Sequence, residues 1–127
     1  MLTLDEVLDD FRKFAGLDDD APVDVHARAP DGGTALHWMA YLGDDKGVKL
    51  LATHGADLNA QDVEGNTPLH DAVSSKQAAA VRALLACGAN AAIKNRAGQT
   101  PGDMARGVPF VQECFASREG AAAAQTN

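Results

Sequence analysis

A phrase that returns at a fixed interval constrains this chain more than any other feature. Thr34, Thr67 and Thr100 stand 33 residues apart, and each is followed by alanine or proline. A second phrase at residues 54–60, His-Gly-Ala-Asp-Leu-Asn-Ala, returns 33 residues later at residues 87–93 as Cys-Gly-Ala-Asn-Ala-Ala-Ile. Repetition with a period of about 20–50 residues predicts an array of stacked structural units.

The central copy of the first phrase has the composition of a helix start. A threonine side chain can accept hydrogen bonds from the first free N–H groups of a helix, and Thr67 is followed at once by Pro68. Proline is favoured at the first helical position because it has no N–H group to leave unpaired. Gly65 indicates a turn just before this point. Residues 62–73 are therefore predicted to form a turn and then a helix.

These phrases resemble the ankyrin repeat. The match consists of Gly-x-Thr-Pro-Leu-His at residues 65–70 and Leu-Leu-x-x-Gly-Ala-Asn at residues 84–90, and it covers residues 31–106 well. The resemblance implies an all-α repeat solenoid, an ankyrin-like stack of helix–turn–helix units with hairpin-like loops that project at one edge. It also implies protein binding rather than catalysis.

The repeat period divides the chain into a short, capped array, which we expect to form a single ankyrin-repeat domain of residues 1–127. Repeat arrays need end units that present a polar outer face, so the irregular ends of the chain are interpreted as caps. The predicted parts are an N-terminal cap with a degenerate repeat at 1–30, full repeats at 31–63 and 64–96, a C-terminal cap at 97–118 and a flexible tail at 119–127.

The spacing of apolar residues predicts the main helices. Steps of three and four residues indicate helices at 3–15, 35–42 and 45–53, and Gly43 and Gly55 can end the last two. The residues predicted to pack inward are Leu4, Val7, Leu8, Phe11, Phe14, Leu36, Met39, Val48, Leu51, Leu69, Ala72, Val81, Leu84, Leu85, Phe110, Val111, Cys114 and Phe115.

Two stretches depart from the repeated pattern. Residues 74–76, Ser-Ser-Lys, replace Tyr-Leu-Gly at 41–43, so the second inter-helix turn lacks a glycine and is expected to be less sharply defined. In the third copy, Gly102 and Asp103 stand where leucine and histidine stand earlier, and glycine inside a helix costs about 1 kcal/mol. A last helix is expected to begin at Pro109.

The charge of the chain bears on its partners. The net charge is −7, and residues 1–30 alone carry −5. A negative surface repels phosphate backbones, so no nucleic acid is expected as a ligand. The same charge favours a partner protein with a basic surface and speeds the encounter with it. The alternative is that acidity only supports solubility, as net charge does in any protein.

Features of the sequence also predict a compartment. The chain has no apolar run of 18 or more residues, so no membrane span is expected. Residues 1–6 lack the basic start and the apolar core of a secretory signal. Cys87 and Cys114 are then expected to be reduced thiols, and the protein to be cytoplasmic and monomeric when free.

His37 and His70 are the residues that most suggest a metal site. Zinc lies about 2.0–2.1 Å from its nitrogen ligands, whereas equivalent residues on stacked helices lie about 8–10 Å apart. Each histidine follows its threonine by three residues, where a side chain can bond back to the helix start. The resemblance implies the same Thr–His network, so no metal and no cofactor are predicted. A calcium loop from Asp18 is disfavoured because Val23 and Ala29 stand where an EF-hand needs glycine and glutamate.

His70 is also the candidate for a catalytic base. His70 could reach Ser74, four residues on, as a general base reaches a nucleophile. Asp71 cannot orient His70, because adjacent residues on a helix point apart, and no oxyanion site accompanies the pair. We therefore predict a protein that is not an enzyme, and a small hydrolase or metal protein remains a remote alternative.

The resemblance implies that a partner meets the concave side, which loop tips and exposed inner-helix positions form. Trp38 and Tyr41 are the only Trp and Tyr of the chain, and their spacing makes them neighbours on one helix. Both residue types are enriched at interface hot spots, but Trp38 could instead pack against the next repeat, with Tyr41 beside it. Asp71 and Glu64 would select a basic or hydrogen-bond-donating group. The predicted protein-binding residues are Asp31, Gly33, Trp38, Tyr41, Leu42, Val63, Glu64, Asn66, Asp71, Ser74, Ser75, Arg96 and Gln99.

The primary functional prediction is a non-enzymatic module that binds a partner protein through its concave loop and inner-helix face. The alternative is an acidic antagonist or immunity-type protein that masks a basic enzyme or toxin, and the acidic N-terminal region motivates it. A designed scaffold without a natural partner is disfavoured because designed arrays use uniform repeats and the third copy here is irregular.

Overall fold

The computed structural model describes residues 3–17 and 24–115, so the acidic run at 18–20 and the predicted tail at 119–127 lie outside the described residues. The predicted helices at 35–42 and 45–53 have the bounds observed, and the predicted helix at 3–15 begins one residue later because Thr3 caps it. The helices are α1 Leu4–Ala15, α2 Ala35–Leu42, α3 Asp45–Thr53, α4 Pro68–Ser74, α5 Ala78–Cys87, α6 Pro101–Met104 and, as far as the described residues extend, α7 at 109–115.

The helices pack in two layers. Within each repeat α2 packs on α3 and α4 on α5, while across the repeats α2 packs on α4 and α3 on α5. We call α2 and α4 the inner helices, and α3 and α5 the outer helices. α1 covers one end of the stack by packing on α2 and α3, and α6 packs on α4 at the other end. This all-α stack confirms the predicted fold class, and none of the described helices is long and apolar enough to cross a membrane.

The core lies between the layers and consists mainly of small and medium aliphatic side chains. Most positions predicted to pack inward are buried, including Leu36, Leu51, Leu69, Val81 and Leu84, which have no exposed surface. Small side chains such as Ala40, Ala72 and Ala80 are also buried, and they allow the helices to approach closely.

Two aromatic residues that were predicted to pack inward are exposed. Phe14 is 64% exposed because it lies in the last turn of α1, where one face of its ring stacks on Trp38 and the rest meets solvent. Phe110 is 50% exposed. Successive helical residues are about 100° apart, which places Phe110 at the edge of the buried stripe of Val111, Cys114 and Phe115.

The three repeated threonines begin α2, α4 and α6. The Oγ1 atoms of Thr34, Thr67 and Thr100 each accept a hydrogen bond from the backbone N–H group three residues on, as an N-cap does. In the third copy the helix ends after a single turn at Met104, with Gly102 inside it. The sequence therefore gives three equivalent helix starts but only two full helix pairs in the described part of the chain.

Three short loops, at residues 29–33, 62–66 and 95–99, project before the inner helices, and we call them the hairpin loops. Each is closed by a bond from its first N–H group to its last carbonyl, with N···O distances of 2.7, 3.0 and 2.9 Å. Adjacent loops are also joined, because the N–H of Val63 donates to the Asp31 carbonyl and the N–H of Arg96 to the Glu64 carbonyl. The hairpin loops therefore form a continuous edge along the stack.

The turn at Lys76 is as well defined as the glycine turn that it replaces, which corrects the expectation of a looser turn. Gly43 and Lys76 both adopt left-handed backbone conformations, with φ of 79° and 59°. Both turns carry the same pair of hydrogen bonds, since the N–H groups of Lys76 and Gln77 donate to the carbonyls of Val73 and Ala72. The second turn therefore keeps its shape although a lysine must adopt a conformation that favours glycine.

We expect Lys76→Gly to stabilise the protein by about 0.5–1 kcal/mol. The left-handed conformation costs a residue with a Cβ about 1–2 kcal/mol, and part of this gain is lost to the greater backbone entropy of glycine when unfolded. Urea denaturation of the two proteins measures the difference. Lys76→Ala is the matched control, because it removes the same side chain and keeps the Cβ, and equal stability of the two variants would contradict the prediction.

Candidate functional site

A groove of about 270 Å³ lies between α1, the inner helices and the first two hairpin loops. We call the aromatic side chains that α1 and α2 contribute its walls, and the carboxyl groups that the loops and α4 contribute its base. The residues that line the groove are Phe11, Phe14, Ala29, Asp31, Gly33, Thr34, His37, Trp38, Tyr41, Asp62 and Asp71.

One wall of the groove is aromatic. The ring centroid of Trp38 lies 5.2 Å from that of Phe14, with the rings stacked, and 6.3 Å from that of Phe11, with the rings tilted. Trp38 thus packs against α1, whereas the alternative interpretation of the sequence placed it against the next repeat. Tyr41 follows one turn later on α2 and is 57% exposed. The wall therefore combines rings that are held in place with one that is free to meet a ligand.

Three carboxyl groups line the base of the groove. Asp31 Oδ1 accepts the N–H of Gly33 at 2.9 Å, and Asp62 Oδ1 accepts the N–H groups of Glu64 and Asn66 at 2.9 and 3.0 Å. These bonds fix the two loop carboxyl groups on their own hairpins. Asp71 is partly buried on α4, and one of its carboxyl oxygens lies within 4.8 Å of a carboxyl oxygen of Asp62. Negative charge is therefore concentrated beside the aromatic wall.

The carboxyl group of Asp71 is poorly suited to carry a charge where it stands. Burial, followed by the negative charges of Asp62, Asp31 and Glu64, raises the pKa of Asp71 to about 7. Burial removes water from the charged form, and like charges repel it further. The folded protein therefore favours the protonated form of Asp71 at acidic pH and ionises it only near neutrality.

We expect Asp71→Asn to stabilise the protein at pH 8 by about 1–2 kcal/mol, a value reduced for solvent screening of a partly exposed group. The pKa of Asp71 rises from 3.8 to about 7 on folding, so its ionisation opposes folding increasingly between these two values and constantly above pH 7. The gain should therefore disappear near pH 4. Thermal melts between pH 4 and 8 measure it, with the exposed Asp10→Asn as control, and a gain that does not depend on pH would contradict the argument.

His37 borders the groove but is committed to the fold. Its Nδ1 accepts the N–H of Thr34 at 3.1 Å, so Nε2 carries the proton and donates to the Asn66 carbonyl at 2.8 Å. The nearest approach to a metal-binding group among the described residues is His37 with Asp62 and Asp71, whose ligand atoms lie within 4.8 Å of one another. A metal would need a free imidazole lone pair there, and in this arrangement His37 has none.

His70 repeats this arrangement one repeat later. Its Nδ1 accepts the N–H of Thr67 at 3.0 Å, and its Nε2 donates to the Gln99 carbonyl at 2.9 Å. Burial lowers the pKa of both His70 and His37, which keeps the rings neutral. The predicted Thr–His network is confirmed. With both nitrogens engaged, His70 has no atom free to act as a base on Ser74.

The predicted binding residues divide into two groups. Within the groove lie Asp31, Gly33, Trp38, Tyr41 and Asp71, although Gly33 is buried and offers only backbone. The others lie outside the groove lining, on α2, at the end of α4 and on the second and third hairpin loops. These residues are Leu42, Val63, Glu64, Asn66, Ser74, Ser75, Arg96 and Gln99. Two of them make structural bonds, since the Ser75 hydroxyl donates to the backbone carbonyl of Asp71 and Arg96 Nη1 to that of Val63.

Sequence reasoning missed part of the groove. Phe11 and Phe14 were predicted as core residues of the cap, and Asp62 was not singled out as a site residue. The available signal is the apolar face of α1, which includes both rings, but the sequence does not show that Phe14 stays exposed. Asp62 occupies the loop position of Ala29 and Asn95, so its carboxyl is a departure from the repeated pattern.

A family model described as ankyrin repeats (3 copies) matches residues 10–95. The chain is also similar to human Inversin, with 41% identity over 64 residues that make up 50% of this chain and 6% of Inversin. It is 38% identical over 74 residues to mouse Rabankyrin-5, covering 58% of this chain and 6% of that protein. It is 39% identical over 75 residues to human Protein phosphatase 1 regulatory subunit 27, covering 59% of this chain and 49% of that protein. The chain thus spans only a small part of the two longer relatives and about half of the third.

Proposed function

Because the chain belongs to the ankyrin-repeat family, whose repeats are generally protein-interaction modules, we propose that it binds a partner protein through its concave face and performs no catalysis. The binding face consists of the hairpin-loop tips and the exposed side of α2 and α4. Its proposed contact residues are those predicted from the sequence, with Trp38 and Tyr41 at the centre. The proposed concave face comprises residues 31–42, 62–75 and 95–99.

The observation that carries this proposal is exposed apolar surface around the groove. Phe14 and Tyr41 both line the groove and are 64% and 57% exposed, and Leu42, next to Tyr41 in the sequence, is 50% exposed. Clustered apolar surface on a folded protein marks an interaction site more often than scattered apolar residues do. Tyrosine and tryptophan are also the residue types most enriched among those whose removal weakens interfaces.

The rigidity of the face also supports binding. The hairpin loops are bonded to one another, and His37 and His70 bond each inner helix to the following loop. A surface that is already ordered loses less conformational entropy when a partner binds than a disordered one does. The face can therefore bind a partner with little rearrangement.

Affinity capture from an extract of the cells that express the protein tests this proposal. We expect the unmodified protein to retain a partner that the double variant Trp38→Ala/Tyr41→Ala loses. Trp38 contacts the cap, so a second variant, Tyr41→Ala/Leu42→Ala, changes only exposed side chains of α2. Circular dichroism and thermal melts establish that each variant is folded.

The matched control is Phe110→Ala, which removes an exposed ring on α7, far along the chain from the concave face. It should retain the partner. A partner retained equally by all variants would contradict the proposed face and would direct the search to the acidic N-terminal region. Capture of no protein by any form would contradict the interaction function itself.

A second candidate function is an antagonist that masks a basic enzyme or toxin. The observation that favours it is the concentration of Asp31, Asp62 and Asp71 in the groove, within a chain of net charge −7. Protein phosphatase 1 regulatory subunit 27 is, by its name, a relative that acts on an enzyme. The affinity for a partner bound through such charges should fall steeply as salt is raised from about 50 to about 500 mM, because salt shortens the distance over which exposed charges interact. Binding that is indifferent to salt would favour the apolar contacts instead.

Partner class and compartment belong to the same proposal. A basic protein rather than nucleic acid is the expected partner because the groove and the chain as a whole are negative. Cys87 and Cys114 are both free thiols, which supports a reducing compartment such as the cytoplasm. The free protein is expected to be a monomer.

A further inference from the structure

The groove has a composition that general protein binding does not require. Its walls are aromatic and mainly apolar, and its base carries three carboxyl groups from two hairpin loops and α4. None of the side chains that line it, among the described residues, is a lysine or an arginine. Arg28, the basic residue just before the first hairpin loop, does not line the groove, and its Nη1 donates to the backbone carbonyls of Gly32 and Gln61. The groove therefore lacks a cation of its own.

Size limits what can occupy the groove. A volume of about 270 Å³ lies below the range of about 300–1,000 Å³ that is typical of small-molecule sites, so the groove suits one long side chain. Such a side chain would have its aliphatic stem against Phe14 and Trp38 and its charged end at the carboxyl groups. Aromatic faces add to the attraction because a cation within about 6 Å of a ring centroid is stabilised by the ring quadrupole.

The arrangement of the carboxyl groups distinguishes between the two basic side chains. Asp31 and Asp62 are fixed by bonds to their own loops and Asp71 is on α4, so the acceptors belong to three separate elements, and oxygens of Asp62 and Asp71 lie within 4.8 Å of each other. A guanidinium presents five N–H donors in a planar fork and stacks on aromatic rings, whereas an ammonium is a compact point charge. Planar, multiply bonded recognition beside the Trp38 ring favours the guanidinium.

We propose that the groove receives one arginine side chain of the partner protein, with the guanidinium against Trp38 and hydrogen-bonded to Asp71 and Asp62. This inference rests on the proposed function, because it names the chemistry by which the concave face recognises its partner. It explains why three carboxyl groups converge at a place where their mutual repulsion opposes ionisation. The arginine supplies the charge that the groove lacks.

A peptide titration tests the proposal without a known partner. The probe is acetyl-Gly-Arg-Gly-amide, added to the full chain while the emission of Trp38 is followed. Trp38 is the only tryptophan of the chain, so the emission reports on the groove. The control peptide contains citrulline, which keeps the shape of arginine and lacks its charge. We expect saturable binding of the arginine peptide and about tenfold weaker binding of the citrulline peptide, since a charged hydrogen bond lost here is worth that factor.

Variants connect the signal to the carboxyl groups. Asp71→Asn should weaken binding of the arginine peptide by about tenfold, and it is expected to fold because it removes a repulsive charge. Asp10→Asn, an exposed substitution on α1, should leave binding unchanged. The indole N–H resonance of Trp38 provides a second readout that does not depend on quenching. Equal binding of the arginine and citrulline peptides, or equal binding by the Asp71→Asn variant, would overturn the proposal.

Two further arms test other occupants. Tighter binding of the corresponding lysine peptide would overturn the choice of arginine, and displacement of the peptide by zinc or calcium chloride alone would assign the groove to a metal ion. Failure here is distinguishable from failure of the proposed function. A partner captured through Tyr41 and Leu42, together with no binding of the arginine peptide, would reject only this inference. Peptide binding without a captured partner would reject the wider function and keep the arginine site.

Discussion

Replacing Leu69 by alanine is expected to lower the free energy of unfolding by about 2–5 kcal/mol. Leu69 has no exposed surface and stands one residue after the proline that begins α4. α4 packs on α2, α5 and α6, and Leu69 is one of its fully buried residues. Truncation would leave a cavity in the buried core of the stack. The surrounding side chains could fill it only in part, because the structure around a cavity relaxes incompletely.

Urea denaturation followed by circular dichroism measures this loss. Leu42→Ala is the matched control, because it makes the same substitution on the other inner helix at a side chain that is 50% exposed. An exposed substitution of this kind should change stability by no more than about 0.5 kcal/mol. Leu36→Ala, at the equivalent buried position of the first full repeat, should behave as Leu69→Ala does. Equal stability of Leu69→Ala and Leu42→Ala would show that the repeat register is wrong.

The repeat register made most of the fold predictable. Thr34 and Thr67 mark where the inner helices start, because a side-chain cap is a local interaction that depends on a few neighbouring residues. Gly43 marks the end of α2 for a similarly local reason, since its left-handed conformation favours glycine. The interior positions follow from the helical period once these ends are fixed.

The turn at Lys76 shows where local reasoning fails. The absence of a glycine suggested a looser turn, but the packing of α4 against α5 fixes the path of the chain on both sides. The residue between them then adopts the conformation that the packing requires, with a positive φ for a lysine. A local preference of about 1–2 kcal/mol is small beside the burial of two helices.

The groove could not be predicted from the period because it exists at one end of the array only. It forms where α1, whose sequence does not carry the repeated phrases, meets α2. Phe14 reads in the sequence as one more member of an apolar face, and only the packing shows that its ring projects beyond the helix that would cover it. Asp62 reads as a loop residue, and only the stacking of the hairpin loops brings its carboxyl group beside Asp71.

The second large effect is expected at His70, where alanine should lower the free energy of unfolding by about 2–5 kcal/mol. The imidazole has no exposed surface, and it joins two repeats through a single ring. Its loss would leave the N–H of Thr67 without its partner and would leave the carbonyl of Gln99 with only the bond from the Asn95 N–H. A buried polar group that loses its partner costs about 1–3 kcal/mol, and the cavity adds to this.

The third copy of the phrase shows why histidine is needed in the first two. There Asp103 replaces histidine, and its Oδ2 accepts the N–H of Thr100 at 3.1 Å. Hydrogen bonds with the backbone and the side chain of Thr100 lower the pKa of Asp103, so the carboxylate form is favoured. A carboxylate can accept but cannot donate, so it caps its own helix and cannot bond to the carbonyl of a following loop. Histidine combines both roles. At this position of the repeated phrase, it is present in the two copies that a further hairpin loop follows among the described residues.

His70→Asn separates the two roles. Asparagine matches aspartate in length, so its Oδ1 should accept the N–H of Thr67 as Asp103 does in the third copy, but it is too short to reach the Gln99 carbonyl. We expect its loss of stability to lie between that of His70→Ala and that of the control His54→Ala, an exposed histidine whose ring bonds to the Leu50 carbonyl of the helix that it follows. If His70→Asn is as stable as the unmodified protein, the bond between repeats contributes nothing. If it is as unstable as His70→Ala, the stabilisation by His70 comes from the bond to the Gln99 carbonyl, and the bond to the Thr67 N–H adds nothing measurable.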